Sequence, residues 1–147
     1  MDLDTKEGWD EFKQHSAHTS SERITGYDMR YSIRSKIAGK SFRSLSKEDK
    51  KRIEEGLLQG ISQIDKRRIN MIYNERIAVQ IELFLIPSYL KKVDIDNVAK
   101  TVIDLLNKKT WKDDKQIMSL NVIKISSNRG GIVIKIGRFI GYTHRFG

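Results

Sequence analysis

The chain has 147 residues, with 28 Lys and Arg against 19 Asp and Glu for a net charge of +9, and 38% of it is hydrophobic, enough for one core. The longest apolar run, Ile81 to Ile86, is broken by Glu82 and stopped by Pro87. That is far short of the roughly 20 apolar residues a transmembrane helix needs, and the absence of cysteine excludes disulfide scaffolds, zinc-thiolate sites, iron-sulfur clusters and cysteine nucleophiles.

Residues 1 to 28 hold seven acids against Lys6, Lys13 and Arg23, a net of −4, which leaves +13 on the other 119 residues. The opening Met1-Asp2-Leu3-Asp4 has neither the basic start nor the apolar stretch of a secretory signal, so a cytoplasmic location is expected. Residues 1–25 show no clear period and read as an acidic N-terminal extension ahead of a single domain over 26–147. His15 and His18 are spaced to share a helix face, but His144 is the only other histidine, so they are poor metal-ligand candidates.

Tyr27 to Ile33 suits an opening strand, followed by a basic loop containing Gly39. From Arg30 to Lys47 there are six bases and no acid, interleaved with Tyr31, Phe42 and several serines. A polyanion is the natural partner, because each neutralised phosphate releases counterions and adds salt-sensitive affinity. Arg30, Arg34, Lys36, Lys40 and Arg43 are therefore candidate DNA contacts, with Tyr31 and Phe42 able to stack on opened bases. Gly39-Lys40-Ser41 resembles the end of a P-loop, but that pattern requires glycine where Arg34 stands, so no nucleotide cofactor is expected.

Ser46-Lys-Glu-Asp49 resembles a capping box, and Ile53, Leu57, Ile61 and Ile64 recur at helical spacing, predicting an amphipathic helix over about 47–69. From Arg76 to Ile86 alternation predicts a strand that Pro87 ends. A loop with two further basic candidates, Lys91 and Lys92, leads to Asp94-Ile-Asp96-Asn97. A second helix follows, marked by Val98, Val102, Leu105 and Leu106, with Asp96 placed as its N-cap. Ile117 to Ser126 and Ile132 to Ile136 read as strands joined by Asn128-Arg-Gly-Gly131, a turn with the freedom a hairpin needs. The order predicts an α+β domain with a mixed sheet, two main helices and a C-terminal β-hairpin.

Five of the twelve acids beyond residue 28 fall between 94 and 114, and all are aspartate: Asp94, Asp96, Asp104, Asp113 and Asp114. Crowded carboxylates in a basic protein repel one another unless a cation neutralises them, and a divalent cation does so well. Asp94 and Asp96 stand two apart at a strand-to-helix connection, where both carboxylates can converge. Lys100 lies one turn beyond Asp96, and Asp104 one turn further, on the same face. An ammonium there could contact the scissile phosphate, although an ordinary helix ion pair is the simpler explanation.

The run Asp94-Ile-Asp96-Asn97-Val-Ala-Lys100-Thr-Val-Ile-Asp104-Leu-Leu, then Trp111-Lys-Asp113-Asp114-Lys-Gln116-Ile, resembles the RusA family of Holliday junction resolvases. The resemblance spans about 92–136 and includes the Asn128-Arg-Gly-Gly131 turn. It implies a RusA-like fold and a homodimeric, Mg2+-dependent endonuclease, with Mn2+ a possible substitute, that cuts four-way DNA junctions by symmetric paired nicks in recombination and repair. The resemblance assigns Asp94, Asp96 and Asp114 to the metal and Lys100 to phosphodiester cleavage, with Asn97, Asp104, Asp113 and Gln116 as possible supporting residues. A bacterial or prophage origin goes with it. Upstream the chain departs from the family: 26–36 contains no proline, where family members usually open with a proline-containing strand.

Two other readings compete. Asp113-Asp114-Lys115 could be the second half of a PD-(D/E)xK nuclease site without junction specificity. Alternatively, the aspartates are caps and ion pairs in a non-catalytic basic nucleic-acid-binding protein.

Overall fold

The computed structural model describes residues 27–36 and 47–141. In chain order they form β1 (Tyr27–Lys36), α1 (Lys47–Ser62), α2 (Lys66–Ile72), β2 (Ile77–Leu85), α3 (Ile95–Leu106), β3 (Ile117–Ser126) and β4 (Gly131–Phe139), with 3-10 turns at Pro87–Tyr89 and Asp114–Gln116. The expected α+β domain with a mixed sheet is present. The strand order is β1-β4-β2-β3, with β4 antiparallel to both β1 and β2, and β2 parallel to β3. The acidic extension, Lys40, Phe42, Arg43 and the cap position Ser46 lie outside the described residues.

Alternation along the central strands builds the core. Ile77, Val79, Ile81, Leu83 and Leu85 of β2 and Ile132, Ile134 and Ile136 of β4 join Ile53 and Leu57 of α1, Ile69 and Ile72 of α2, and Val98, Val102 and Leu106 of α3. Removing each such side chain from water contributes about 1.5–3 kcal/mol. The alternate positions of the same strands are buried too, and there Lys135 Nζ meets Glu82 Oε2 at 3.2 Å while Gln80 Nε2 donates to the same oxygen at 3.1 Å. Burial pulls the Lys135 ammonium pKa below its usual value; the Glu82 carboxylate opposes that shift and the Arg34 guanidinium adds to it.

Three elements differ from the sequence expectation. The helix expected over 47–69 is two helices, because Asp65 adopts extended backbone and its side chain caps α2, accepting from Arg67 N at 2.9 Å. The basic stretch is partly strand: β1 runs on to Lys36, so Arg30, Arg34 and Lys36 sit on a sheet edge, not in a loop. Tyr31 is 1% exposed and packs in the core, which removes it as a base-stacking residue. The C-terminal pair β3 and β4 are consecutive, antiparallel in direction and joined by 127–130 as a hairpin would be, yet β2 lies between them. Pro87 turns the chain out of β2, and Ser127 N closes the passage by donating to Leu85 O at 2.8 Å.

Two glycines let α1 lie against β1. A Cβ on Gly60 would stand 2.6 Å from the Arg34 carbonyl oxygen, and one on Gly56 would meet Ser35 Oγ. This Gly-x-x-x-Gly spacing carries no weight in the sequence reading. In the fold it sets how closely helix and strand approach.

Candidate active site

The β2–α3–β3 unit positions the aspartates. After β2 ends at Leu85 the chain turns through Pro87–Tyr89, and Lys124 Nζ of β3 donates to Leu90 O at 2.5 Å, tying this loop to the sheet. The next residue pattern starts α3. Asp94, not Asp96, is the N-cap: its Oδ1 accepts from Asp96 N at 3.0 Å and Asn97 N at 3.4 Å, and its Oδ2 accepts from Asn97 Nδ2 at 3.2 Å. The two-residue difference from expectation is physical, because with extended backbone at Asp94 its side chain already satisfies the orphan amides, which leaves Asp96 in the first turn. Asn97 therefore orients Asp94 through its side chain as well as its amide.

Asp96, Lys100 and Asp104 share one face of α3, as the spacing predicts. With Ala99, Ile103, Leu120 and Val122 they line a cavity of about 320 Å3 between α3 and β3. All three charged residues are exposed, and Lys100 makes no ion pair with either aspartate. The ordinary helix salt bridge is thus not what occupies this face. An unneutralised ammonium between two carboxylates, on the wall of an open cavity, suits an anionic ligand whose charge is partly carried by cations.

The second acidic pair lies elsewhere. α3 runs back along the sheet for 12 residues, roughly 18 Å, before the turn through Lys108, which has a left-handed φ of 69°. Lys108 N donates to Trp111 O at 2.7 Å, and Thr110 closes the helix on Leu106 O. Trp111 is fully buried and its Nε1 donates to Asp114 Oδ1 at 2.7 Å, which fixes that carboxylate. Asp113 caps the Asp114–Gln116 turn, accepting from Lys115 N at 2.9 Å, while Asp113 N donates to Gln116 Oε1 at 2.7 Å. Gln116 Nε2 then donates to Tyr73 O and Glu75 O, both at 2.8 Å. Asp113 and Gln116 thus hold the entry to β3, where they support Asp114 without joining the α3 cavity.

In consequence Asp94 and Asp96 sit at one end of α3, and Asp114 sits beyond its other end. Among the described residues no three His, Asp or Glu side chains approach closely enough to hold a metal ion. The donors are the hard carboxylates that Mg2+ favours, but a single copy of the chain does not gather them. Lys91 and Lys92 are exposed beside the cap, with Lys92 Nζ 5.8 Å from the Tyr89 ring centroid. On β1, burial lowers the Arg34 guanidinium pKa and the Glu82 carboxylate counteracts it.

A family model for endodeoxyribonuclease RusA matches residues 44–137, more than half of the chain and the whole of the β2–α3–β3 unit just described. The chain belongs to the RusA endodeoxyribonuclease family. Membership makes it a DNA nuclease, and the match begins after β1, so it leaves out the proline-free 26–36 segment. No curated protein matches the sequence at a significant level. No helix among the described residues is long and apolar enough to cross a membrane.

Proposed function

We propose that this RusA-family chain is a divalent-metal-dependent endonuclease that resolves four-way DNA junctions by paired nicks, working as a homodimer in recombination and repair. The observation that carries the reading is the α3 face, where Asp96, Lys100 and Asp104 meet on one cavity with Asp94 capping the helix at its entrance. The Lys100 ammonium would lie against a backbone phosphate and offset the charge that grows on its oxygens during attack. Asp94, held by two backbone amides and Asn97, would keep its carboxylate in place without reorganising. A hard cation such as Mg2+, or Mn2+ in its stead, bound at Asp94, Asp96 and Asp114, would supply an activated water.

The separation of those carboxylates supports the dimer. Asp114 of one copy cannot join Asp94 and Asp96 of the same copy across the length of α3, whereas a two-fold partner can present its own Asp114 to them. An isologous dimer makes two such sites, one for each of the equivalent strands of a junction. The PD-(D/E)xK reading has less support: Asp113 is engaged as a cap, and Lys100, not Lys115, lines the α3 cavity with Asp96.

The test is incubation of the protein with a synthetic four-way junction and with a linear duplex of the same arm sequence, each with Mg2+ and with EDTA. Scission of the junction that needs the metal and exceeds scission of the duplex is expected. Equal cleavage of both would leave a nuclease and remove the junction preference.

A further inference from the structure

Along the outer edge of β1 a cavity of about 600 Å3 opens between that strand, α1 and α2. It is lined by Arg34 and Arg68 together with Tyr31, Ser32 and Gln63, and by no acidic side chain among the described residues. Tyr31 is 1% exposed, and its hydroxyl has no hydrogen-bond partner among the described residues. Buried hydroxyls without partners cost about 1–3 kcal/mol each, which a ligand with acceptor oxygens would recover. Arg68 donates Nη2 to Arg30 O at 2.8 Å, and neither it nor Arg34 forms an ion pair among the described residues; Arg34, whose Nε has no hydrogen-bond partner there, also feels the buried Glu82 carboxylate, which pairs with Lys135. A second cavity of about 280 Å3 shares Arg34, Gly60 and Gln63 and continues to Lys36, two residues along the same strand.

We infer that this β1 edge is a phosphate-binding groove for the DNA backbone, in which Arg34 and Arg68 hold one phosphodiester and the Tyr31 hydroxyl donates to its oxygens. The inference rests on the proposed action on junction DNA and adds a second anchoring point to it. β1 and β3 are opposite edges of the sheet, three strand spacings or roughly 14 Å apart. Duplex DNA carries a charge about every 1.7 Å of axis, so an arm engaged at the α3 cavity has phosphates to spare at that distance. The groove therefore grips and does not cut.

The test is the dissociation constant of a fluorescent four-way junction across a salt series, in EDTA so that scission does not enter. Arg68→Ala is compared with Arg67→Ala, which removes the same charge one residue away from a side chain that pairs with Asp65 and does not line the cavity. Arg68→Ala should weaken binding and flatten the slope of log affinity against log salt by about 0.9, while Arg67→Ala leaves both near wild type. Tyr31→Phe should weaken binding roughly tenfold, as loss of a hydrogen bond to a charged group does, with a thermal midpoint at or above wild type. Equal effects of the two arginine variants, or wild-type binding by Tyr31→Phe, overturn the groove. Junction binding that depends on Arg68 with no scission in Mg2+ would uphold the groove and remove the nuclease reading. Normal scission with Arg68→Ala binding unchanged does the reverse.

Discussion

Asp94 caps α3 with one carboxylate oxygen and engages Asn97 with the other, so its structural and proposed chemical duties are separable by substitution. Asparagine caps helices about as well as aspartate, whereas alanine costs about 1 kcal/mol. Asp94→Asn should therefore unfold within about 0.5 kcal/mol of wild type in a urea titration and yet fail to nick a junction. Near wild-type cutting by this variant would show that the carboxylate is only a cap. Lys100→Ala should likewise lower the cleavage rate far more than the junction affinity, with Lys115→Ala active; the opposite pattern in single-turnover assays would favour the PD-(D/E)xK reading. At this scale the sequence is informative because helical spacing alone puts Asp96, Lys100 and Asp104 on one face. It misplaces the cap at Asp96, since two aspartates two residues apart both suit it and only the backbone at Asp94 decides.

Between elements, what matters is how closely α1 sits on β1. Alanine raises helix propensity over glycine by about 1 kcal/mol, but at Gly60 its Cβ would press on the Arg34 carbonyl. Gly60→Ala should accordingly destabilise the fold by about 1–3 kcal/mol, and the same shift would close the β1 cavities and weaken junction binding. A gain in stability measured by urea unfolding would show that α1 moves away freely. Lys135→Ala should be costlier, about 3–5 kcal/mol by the same measurement, because it leaves the Glu82 carboxylate buried; a loss below 1 kcal/mol would mean that water reaches the pair. The strands and α3 are legible in the sequence through their periodicity. The strand order is not, since the Asn128-Arg-Gly-Gly131 turn suits a tight hairpin equally well, and only the pairing of β4 with β1 and β2 separates it from β3. The break between α1 and α2 is similarly hidden, because Ile61, Ile64 and Ile69 keep apolar contact through it while Asp65 restarts the helix.

For the whole molecule, the central claim is a cutting site completed by a second copy. The sequence presents Asp94, Asp96 and Asp114 as one constellation because they are near in chain; α3 parts them because they flank its two ends. Sedimentation at micromolar concentration should give a dimer, and junction affinity should fall steeply with salt as the +13 of residues 29–147 implies. The most direct test mixes two inactive proteins, Asp94→Asn and Asp114→Asn, under conditions that exchange subunits, and assays the mixture on a four-way junction with Mg2+. A shared site gives the mixed dimer one wholly mutated centre and one wholly intact centre, so the mixture should recover single-strand nicking without paired cleavage. If the wild type cuts and the mixture stays inert despite proven exchange, each site lies within one chain and the account is contradicted.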